Sequence, residues 1–379
     1  MAARLNGIEE VVGSSPIGST ALSVVIGSLS EPTHMRKILI LEPGAWGSTL
    51  GIILSKKNQV GFWYHNPKLS LELSKSRKNN KLPGIEIPKK ISISSDLKNI
   101  KKTDLIIVAS PSFNFRKTIE KLKYFKNLPP IIGIAKGMEK ETLKFPSQIV
   151  EEVLGNIPYA HLSGPGFARE IARGKPVKEV IASKNLALLK QLKDLFQVKH
   201  RARWSRAKVK KKEPSSLLQI SITTDLIGIQ LAGAVKNSLA IGISLVEAGM
   251  ENPEIDKIRP KLINFGLKEM IKIGKVMGGK EKTFLGPAGK GDLILTSTSP
   301  LSRNSQFGRN LFSDAQKMRQ DIRKRKITVE GFDNTWALYK LGKMYKIDLP
   351  MINEIYNVIY RKVSPEKTVR NLVKLTVLD

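Results

Sequence analysis

The chain has 379 residues and no cysteine, which excludes disulfide bonds, thiolate chemistry and cysteine metal sites. Its length allows two domains, and a hydrophobic content of 41% is enough for ordinary cores. The formal net charge is +31, but the lysines are scattered along nearly the whole chain and only 6% of the residues are aromatic. Nucleic acid and membrane surfaces are therefore not expected as partners.

Residues 1 to 34 contain glycine, serine and proline around a short apolar run, Ala21 to Ile26. A secretory signal would carry more positive charge before such a run, whereas Glu9 and Glu10 stand there. We therefore expect a disordered extension and a cytoplasmic protein. Met35 directly precedes the first predicted strand and is a candidate alternative start, which mass spectrometry of the native protein would test.

The turn between the first predicted strand, Lys37 to Leu41, and the helix that begins at Ala45 lies where a Rossmann unit binds pyrophosphate. The glycine positions of the usual G-x-G-x-x-G motif are occupied here by Glu42, Gly44 and Gly47. A Cβ crowds this turn and a carboxylate opposes a bound anion, so we expect Glu42 to weaken nucleotide binding and Glu42→Gly to tighten it. Taken alone, the motif is also compatible with a plain strand, turn and helix that bind no nucleotide.

Four more apolar runs predict strands at residues 59 to 63, 103 to 109, 130 to 135 and 159 to 162. They alternate with helical segments and end in small or charged residues, which predicts a Rossmann-type, doubly wound, mostly parallel sheet with a crevice at the carboxyl ends of its strands. Lys136 is expected on that rim.

His65 follows the second strand, where a Rossmann unit often carries an acid that binds the ribose. Because no acid stands there, NAD selectivity is not supported and NADP stays open. A loop histidine without a cofactor role is the alternative. The four histidines of the chain show no spacing typical of metal ligands, so no metal site is expected.

The organisation of the chain changes in its second half. A basic run from Arg201 to Lys212 is either a patch for anionic partners or, as we favour, a solvated insertion, which we place at 199 to 218. From Asp225 helical patterns replace strands, at 227 to 249, 261 to 277, 332 to 345 and a last helix through residue 360. We expect a dinucleotide-binding domain at 35 to 222 and an all-α substrate domain at 223 to 379.

Lys236 has no polar face to belong to on its predicted helix. Its neighbours three and four residues away are Ala232, Gly233, Leu239 and Ala240. A cleft or buried position would lower the pKa of the amine and make it a usable proton donor beside a carbonyl. A lysine that snorkels from a crowded helix surface is the alternative.

Two further motifs carry polar chemistry. Asp292 stands in a glycine-lined turn from which it can reach Lys236, although a simple Gly-Asp turn explains the same letters. Ser302, Arg303 and Asn304 begin a predicted helix in an arrangement that binds phosphate if it faces the cleft. An ordinary N-cap with a surface arginine is the alternative.

A set of motifs in a fixed order resembles bacterial-type NAD(P)-dependent glycerol-3-phosphate dehydrogenase. The motifs are A-K-G-M-E at 135 to 139, L-S-G-P-G-F-A-R-E at 162 to 170, D-L-I-G-I-Q-L-A-G-A-V-K-N at 225 to 237, T-F-L-G-P-A-G-K-G-D-L-I-L-T-S-T-S at 283 to 299, S-R-N at 302 to 304, V-E-G at 329 to 331 and L-P-M-I-N-E-I-Y at 349 to 356. The resemblance implies NAD(P)H-dependent reduction of dihydroxyacetone phosphate to sn-glycerol 3-phosphate, for phospholipid synthesis. We also expect a homodimer.

The resemblance implies roles for individual residues. Lys236 would be the catalytic lysine, Lys136 the second active-site lysine, and Asp292 the group that orients the amine. Substrate contacts would come from these three and from Gly164, Gly166, Ser302, Arg303 and Asn304. Cofactor contacts would come from Gly44, Ala45, Trp46, Gly47, His65, Lys136, Ala168, Arg303 and Glu330, with NAD or NADP as the cofactor.

The chain departs from the family pattern at a few positions. Glu42 and Pro43 are two of these positions. At a third, Phe265 replaces the arginine of the family segment L-I-T-R-G-L. The alternative to an enzyme is therefore a degenerate homologue that acts as a binding or regulatory protein. The full set of Lys136, Lys236, Asp292 and Arg303 favours the enzyme.

Overall fold

The structure is a computed structural model that describes residues 35–197, 216–251, 253–324 and 326–377. The extension predicted at 1–34 and most of the basic insertion predicted at 199–218 lie outside the described residues. Within them, a mostly parallel sheet flanked by helices is followed by a helical region, which confirms the predicted fold class.

The sheet has eight strands in the order β3-β2-β1-β4-β5-β6-β7-β8. All neighbouring strands run parallel except β6 and β7, which are antiparallel. The strands are β1 Lys37–Leu41, β2 Gln59–Trp63, β3 Ser92–Ser94, β4 Leu105–Val108, β5 Ile131–Gly133, β6 Tyr159–Ser163, β7 Val177–Ala182 and β8 Leu218–Thr223. The central strands β4, β5 and β6 are buried along their whole length, as their apolar sequences require.

Helices cover the sheet and connect its strands. They are α1 Ala45–Leu54, α2 Pro67–Ser76, a short 3₁₀ helix at Lys98–Lys102, α3 Ser112–Glu120, α4 Pro146–Leu154, α5 Ala168–Ala172 and α6 Leu186–Phe196. One apolar core lies between the sheet and these helices and includes Leu41, Val108 and Phe115.

The helical region is built around α7, Leu226–Ala248. This helix is long and apolar enough to cross a membrane, but 94% of its most apolar window is buried inside the protein, so it is a core helix. The other elements of this region are α8 Glu254–Val276, α9 Glu281–Leu285, a π-helical turn at Pro287–Gly291, α10 Asp292–Thr298, α11 Arg303–Ser313, α12 Ala315–Arg323, α13 Glu330–Met344, α14 Pro350–Tyr360 and α15 Pro365–Leu375.

Several predicted boundaries are wrong. Leu218, placed at the end of the insertion, is the fully buried first residue of β8. Helix α8 begins at Glu254 and contains the exposed Pro260, because apolar side chains such as Leu262 anchor the helix to the core. Another helix, α15, follows the one predicted to be last, with Ser364 as its N-cap. The domain boundary at 222/223 stays a prediction.

Candidate active site

Lys136 lies at the rim of the sheet, shortly after β5, and contacts both halves of the structure. Its main-chain oxygen accepts hydrogen bonds from the side-chain amides of Asn237, at 3.0 Å, and Asn334, at 2.9 Å. Its Nζ donates to the main-chain oxygen of Gly164 and to Oδ2 of Asp292, both at 2.7 Å. Two contacts of its main chain and two of its side chain therefore fix Lys136 at the crevice.

Lys236 lies on α7 and is 6% exposed, so it is a buried lysine and not a snorkelling one. Its Nζ donates to Oδ1 of Asp292 at 3.0 Å and to Oγ1 of Thr296 at 2.7 Å. Thr296 was not predicted as a site residue from the sequence. It lies one helical turn after Asp292 and therefore shares the same face of α10.

The turn before α10 presents Asp292 to both lysines. A Cβ at Gly289 would collide with the main chain of Phe284, so this π-helical turn requires glycine there. Asp292 itself is 2% exposed, and its two oxygens contact different lysines. A single carboxylate therefore balances two ammonium groups in a buried site.

The two lysines differ in their affinity for protons. The pKa of Lys236 is lowered to about 8, because burial and the charge of Lys136 outweigh the opposing charge of Asp292. Burial also acts on Lys136, but the charges of Asp292 and Glu179 outweigh it and raise the pKa of Lys136. The pKa of the Asp292 carboxyl is lowered because the two lysines outweigh its burial. Lys136 is thus a permanent cation, while Lys236 can exchange a proton near neutral pH.

Glu179 on β7 is a second carboxyl group of this site, and it was not predicted from the sequence because β7 was not predicted. It is 1% exposed, and neither of its oxygens has a hydrogen-bond partner among the described residues. Burial raises its pKa to about 8. A Cβ at Gly164 would lie 2.6 Å from Oε2 of Glu179, and one at Gly166 2.8 Å from Oε1. The glycines of the expected substrate loop therefore allow this loop to cover the buried carboxyl.

The start of α11 lies beside the lysines. Ser302 is its N-cap and accepts a hydrogen bond from the Ser305 N–H at 3.2 Å. Asn304 donates to Oδ1 of Asn237, the residue after Lys236, at 2.8 Å and accepts from the N–H of Gly331 at 3.0 Å. This helix terminus is therefore connected directly to the helix that carries Lys236.

Two more residues of the expected site lie near this terminus. Arg303 is exposed and contacts the main-chain oxygen of Thr328 at 3.4 Å instead of the lysine cluster. Glu330, the first residue of α13, lies 3.5 Å from the side-chain amide of Asn237. Phe265, which replaces an arginine of the family pattern, packs against the helical core.

The turn after β1 fits a bound pyrophosphate. Gly44 caps α1 without a side-chain hydrogen bond, and the first N–H groups of this helix, at Ala45, Trp46 and Gly47, have no acceptor within the helix. A Cβ at Gly44 would meet only the Lys81 side chain, at 3.9 Å, so its surface is open.

Other contacts fix the helix behind this turn. A Cβ at Gly47 would lie 2.6 Å from that of Ala109, so this glycine lets α1 pack closely on the sheet. Ala168, at the start of α5, accepts a hydrogen bond from Oγ1 of Thr49 on α1 at 3.1 Å. Ala168 therefore lies against the helix of the nucleotide turn.

Glu42 adopts a left-handed backbone conformation with φ of 54°. Its Oε1 accepts a hydrogen bond from the main-chain N–H of His65 at 2.6 Å and lies 2.7 Å from His65 Nδ1. The carboxylate therefore points to the end of β2, which the sequence did not indicate. Within residues 35–197, 216–251, 253–324 and 326–377, no group of three histidine, aspartate or glutamate side chains is placed to hold a metal ion.

Comparison with known proteins places the two halves in one family. Residues 37–189 match the sequence model of the NAD-dependent glycerol-3-phosphate dehydrogenase N-terminus, and residues 225–370 match that of its C-terminus. A glycerol-3-phosphate dehydrogenase (NAD(P)+) from Thermoanaerobacter sp. (strain X514) is 32% identical over 342 residues, which are 89% of this chain and 96% of the relative. The enzyme of the same name from Wigglesworthia glossinidia brevipalpis is 34% identical over 341 residues, 88% of this chain and 97% of the relative.

A solved structure agrees with the sequence matches. The crystal structure of glycerol-3-phosphate dehydrogenase from Coxiella burnetii superimposes with a TM-score of 0.79 at 29% identity, covering 90% of this chain and 99% of that one. Both halves of the chain, their order and the fold agree with these relatives. The chain belongs to the NAD-dependent glycerol-3-phosphate dehydrogenase family.

Proposed function

We propose that this protein reduces dihydroxyacetone phosphate to sn-glycerol 3-phosphate, reversibly, with NADH or NADPH, and supplies glycerol phosphate for phospholipid synthesis in the cytoplasm. The observation that carries the proposal is the buried cluster in which Asp292 contacts Lys136 and Lys236. A cluster of this kind suits a carbonyl oxygen that gains negative charge and then a proton.

The division of roles follows from the pKa values of the lysines. A nicotinamide cofactor bound in the crevice would supply the hydride for the carbonyl carbon. Lys236, with a pKa lowered to about 8, donates the proton to the carbonyl oxygen. Asp292 and Thr296 orient its amine, and Lys136, which stays charged, stabilises the negative charge on the oxygen. In the reverse direction, neutral Lys236 takes the proton from the alcohol.

The remaining expected residues bind the two ligands. Gly164 and Gly166 line the substrate, and Ser302, Arg303 and Asn304 hold its phosphate end at the N-terminus of α11. Cofactor contacts come from the turn residues and from the residues that flank the crevice: Gly44, Ala45, Trp46, Gly47, His65, Lys136, Ala168, Arg303 and Glu330. The open surface at Gly44 and the first N–H groups of α1, which have no acceptor within the helix, support this assignment.

Three further expectations belong to the same proposal. The protein is a homodimer, which light scattering on the eluted peak of a sizing column would test. It does not bind nucleic acid or membranes, so retention on DNA that falls steeply with salt would contradict this part. The dinucleotide-binding and substrate domains divide at 222/223.

The reaction is tested with purified protein, dihydroxyacetone phosphate and either reduced nucleotide. Oxidation of the nucleotide should depend on the substrate and should fall by about 10² to 10⁴ in Lys236→Met, the range for loss of a general acid. Lys257→Met removes an exposed lysine of α8 and should match the unmodified protein. Oxidation no faster than that of the Lys236→Met variant would refute the proposed reaction and favour a degenerate homologue.

A further inference from the structure

The Glu42 carboxylate is fixed at the end of β2 by contacts of both its main chain and its side chain. Its N–H donates to the main-chain oxygen of Trp63 at 2.8 Å. Its Oε1 accepts from the His65 N–H at 2.6 Å and contacts the His65 ring at 2.7 Å. The Glu42 side chain is 17% exposed, so the carboxylate is largely enclosed yet still reaches the surface of the crevice.

This position is equivalent to that of the acid that β2 lacks. In Rossmann sheets an acidic residue after the second strand accepts hydrogen bonds from the ribose of the adenosine. Here Tyr64, His65 and Asn66 follow β2. Because β1 and β2 pair in parallel with Leu41 opposite Trp63, Glu42 lies level with the end of β2. The ribose can therefore be bound by the carboxylate of Glu42, which follows the neighbouring strand β1.

The backbone conformation of Glu42 indicates that specific contacts hold its side chain in place. With φ of 54°, a residue with a side chain is less favourable than glycine. The hydrogen bonds of the carboxylate with His65 offset this cost, since bonds to a charged group are the stronger kind. The carboxylate is thus pre-organised in one orientation before any nucleotide arrives.

We propose that Glu42 replaces the missing ribose acid and gives this protein a preference for NAD(H) over NADP(H). The 2′-hydroxyl of NAD can donate to the carboxylate, whereas the 2′-phosphate of NADP brings about 1.5 to 2 negative charges against it. His65 holds the carboxylate in place through its main-chain N–H and its ring. The inference deepens the proposed function, on which it rests for the identity of the nucleotide.

Direct titration of nucleotides tests this preference without the triose substrate. Unmodified protein should bind NADH at least tenfold more tightly than NADPH, measured by quenching of protein fluorescence. Glu42→Gln keeps the shape of the side chain and should reduce this ratio at least fivefold. Glu42→Gly suits the left-handed backbone and should raise the affinity for NADPH while lowering the affinity for NADH. The sequence predicted tighter nucleotide binding in this variant, and we expect it for NADPH alone. Calorimetry with 5′-AMP and adenosine 2′,5′-bisphosphate, which differ only in the 2′-phosphate, should show the same order.

Glu72→Gln is the matched control, because it removes an equal charge from an exposed position on the neighbouring helix α2. It should leave the NADH to NADPH ratio within twofold, and thermal melts should show that all variants are folded. Equal affinity of the unmodified protein for both nucleotides, or a ratio that neither Glu42 variant changes, would overturn the inference. Either result would leave the reductase reaction standing, because that reaction is judged by turnover with dihydroxyacetone phosphate.

Discussion

Nζ of Lys236 lies 3.0 Å from Oδ1 of Asp292, and the other oxygen of this carboxylate lies 2.7 Å from Lys136. One negative charge therefore holds two cations in a site that is almost closed to water. Each cation opposes the charging of the other, so the carboxylate decides how much positive charge the crevice keeps. Burial lowers the pKa of Lys236, and the charge of Asp292 opposes this effect without cancelling it.

Reduction should slow as the pH rises through about 8, because burial lowers the pKa of Lys236 to about 8 and reduction needs its protonated form. Oxidation of glycerol 3-phosphate needs the neutral amine and should accelerate over the same range. The measurement is kcat against pH in both directions with saturating nucleotide. Parallel pH profiles in the two directions would show that Lys236 is not the group that exchanges the proton.

Asp292→Asn should destabilise the protein by about 3 to 5 kcal/mol near neutral pH, because it removes the one carboxylate that contacts both buried ammonium groups. It should also lower the pKa of Lys236 further and move the decline of reduction to lower pH. Urea denaturation and the pH profile of kcat measure the two effects. Asp96→Asn removes one partner of an exposed pair with Lys98 and should cost less than about 1 kcal/mol. Equal losses in the two variants would contradict this account of the cluster.

Glu179→Gln should stabilise the protein at alkaline pH. Burial raises the pKa of Glu179 to about 8, whereas in the unfolded chain the group ionises near its ordinary value of about 4.3. Between these two values the folded protein holds a proton that the unfolded chain has released, so this contribution to stability is lost as the pH rises to about 8. Glutamine stays neutral throughout. The melting temperature of the variant should exceed that of the unmodified protein by a margin that grows between about pH 5 and pH 9, and a constant margin would be inconsistent with a buried titrating carboxyl.

Arg303→Ala should raise the KM for dihydroxyacetone phosphate about tenfold or more, since a charged hydrogen bond contributes about 1.5 to 3 kcal/mol. Because Arg303 is also assigned to the cofactor, both rates are measured with saturating nucleotide, and the rate with dihydroxyacetone, which has no phosphate, should then change little. The comparison of both substrates therefore separates phosphate binding from damage to the site. Arg370→Ala, an exposed arginine of α15, is the control. A similar loss with both substrates would place Arg303 in another role.

Burial explains which strands could be predicted. β4 is buried at every residue, so its sequence is one apolar run, and the shortness of this run favours a strand over a helix. β7 carries Lys178 and Glu179 within its run, and β8 lies at the edge of the sheet with exposed residues such as Ser221. Polar residues within a strand interrupt the apolar run by which a strand is recognised in a sequence. β7 and β8 are therefore identified as strands only by their pairing in the sheet.

The site was predicted where local chemistry was unusual. Lys236 stood out because its helix offers it no polar neighbours, and Asp292 because glycines surround it. The contact between them joins residues 56 positions apart, which no local pattern specifies. Glu179 lies at the start of β7, and β7 reaches the crevice with its first residues because it runs antiparallel to β6. The rule that sites follow the carboxyl ends of strands does not apply to such a residue.

The two amides on the main-chain oxygen of Lys136 have a mechanical consequence. Asn237 belongs to α7 and Asn334 to α13, while the Lys136 side chain reaches Gly164 after β6. The sheet and the helical region are thus fastened together at one corner of the crevice. A widening of the crevice that keeps these hydrogen bonds has to pivot on this corner, where Lys136 is held.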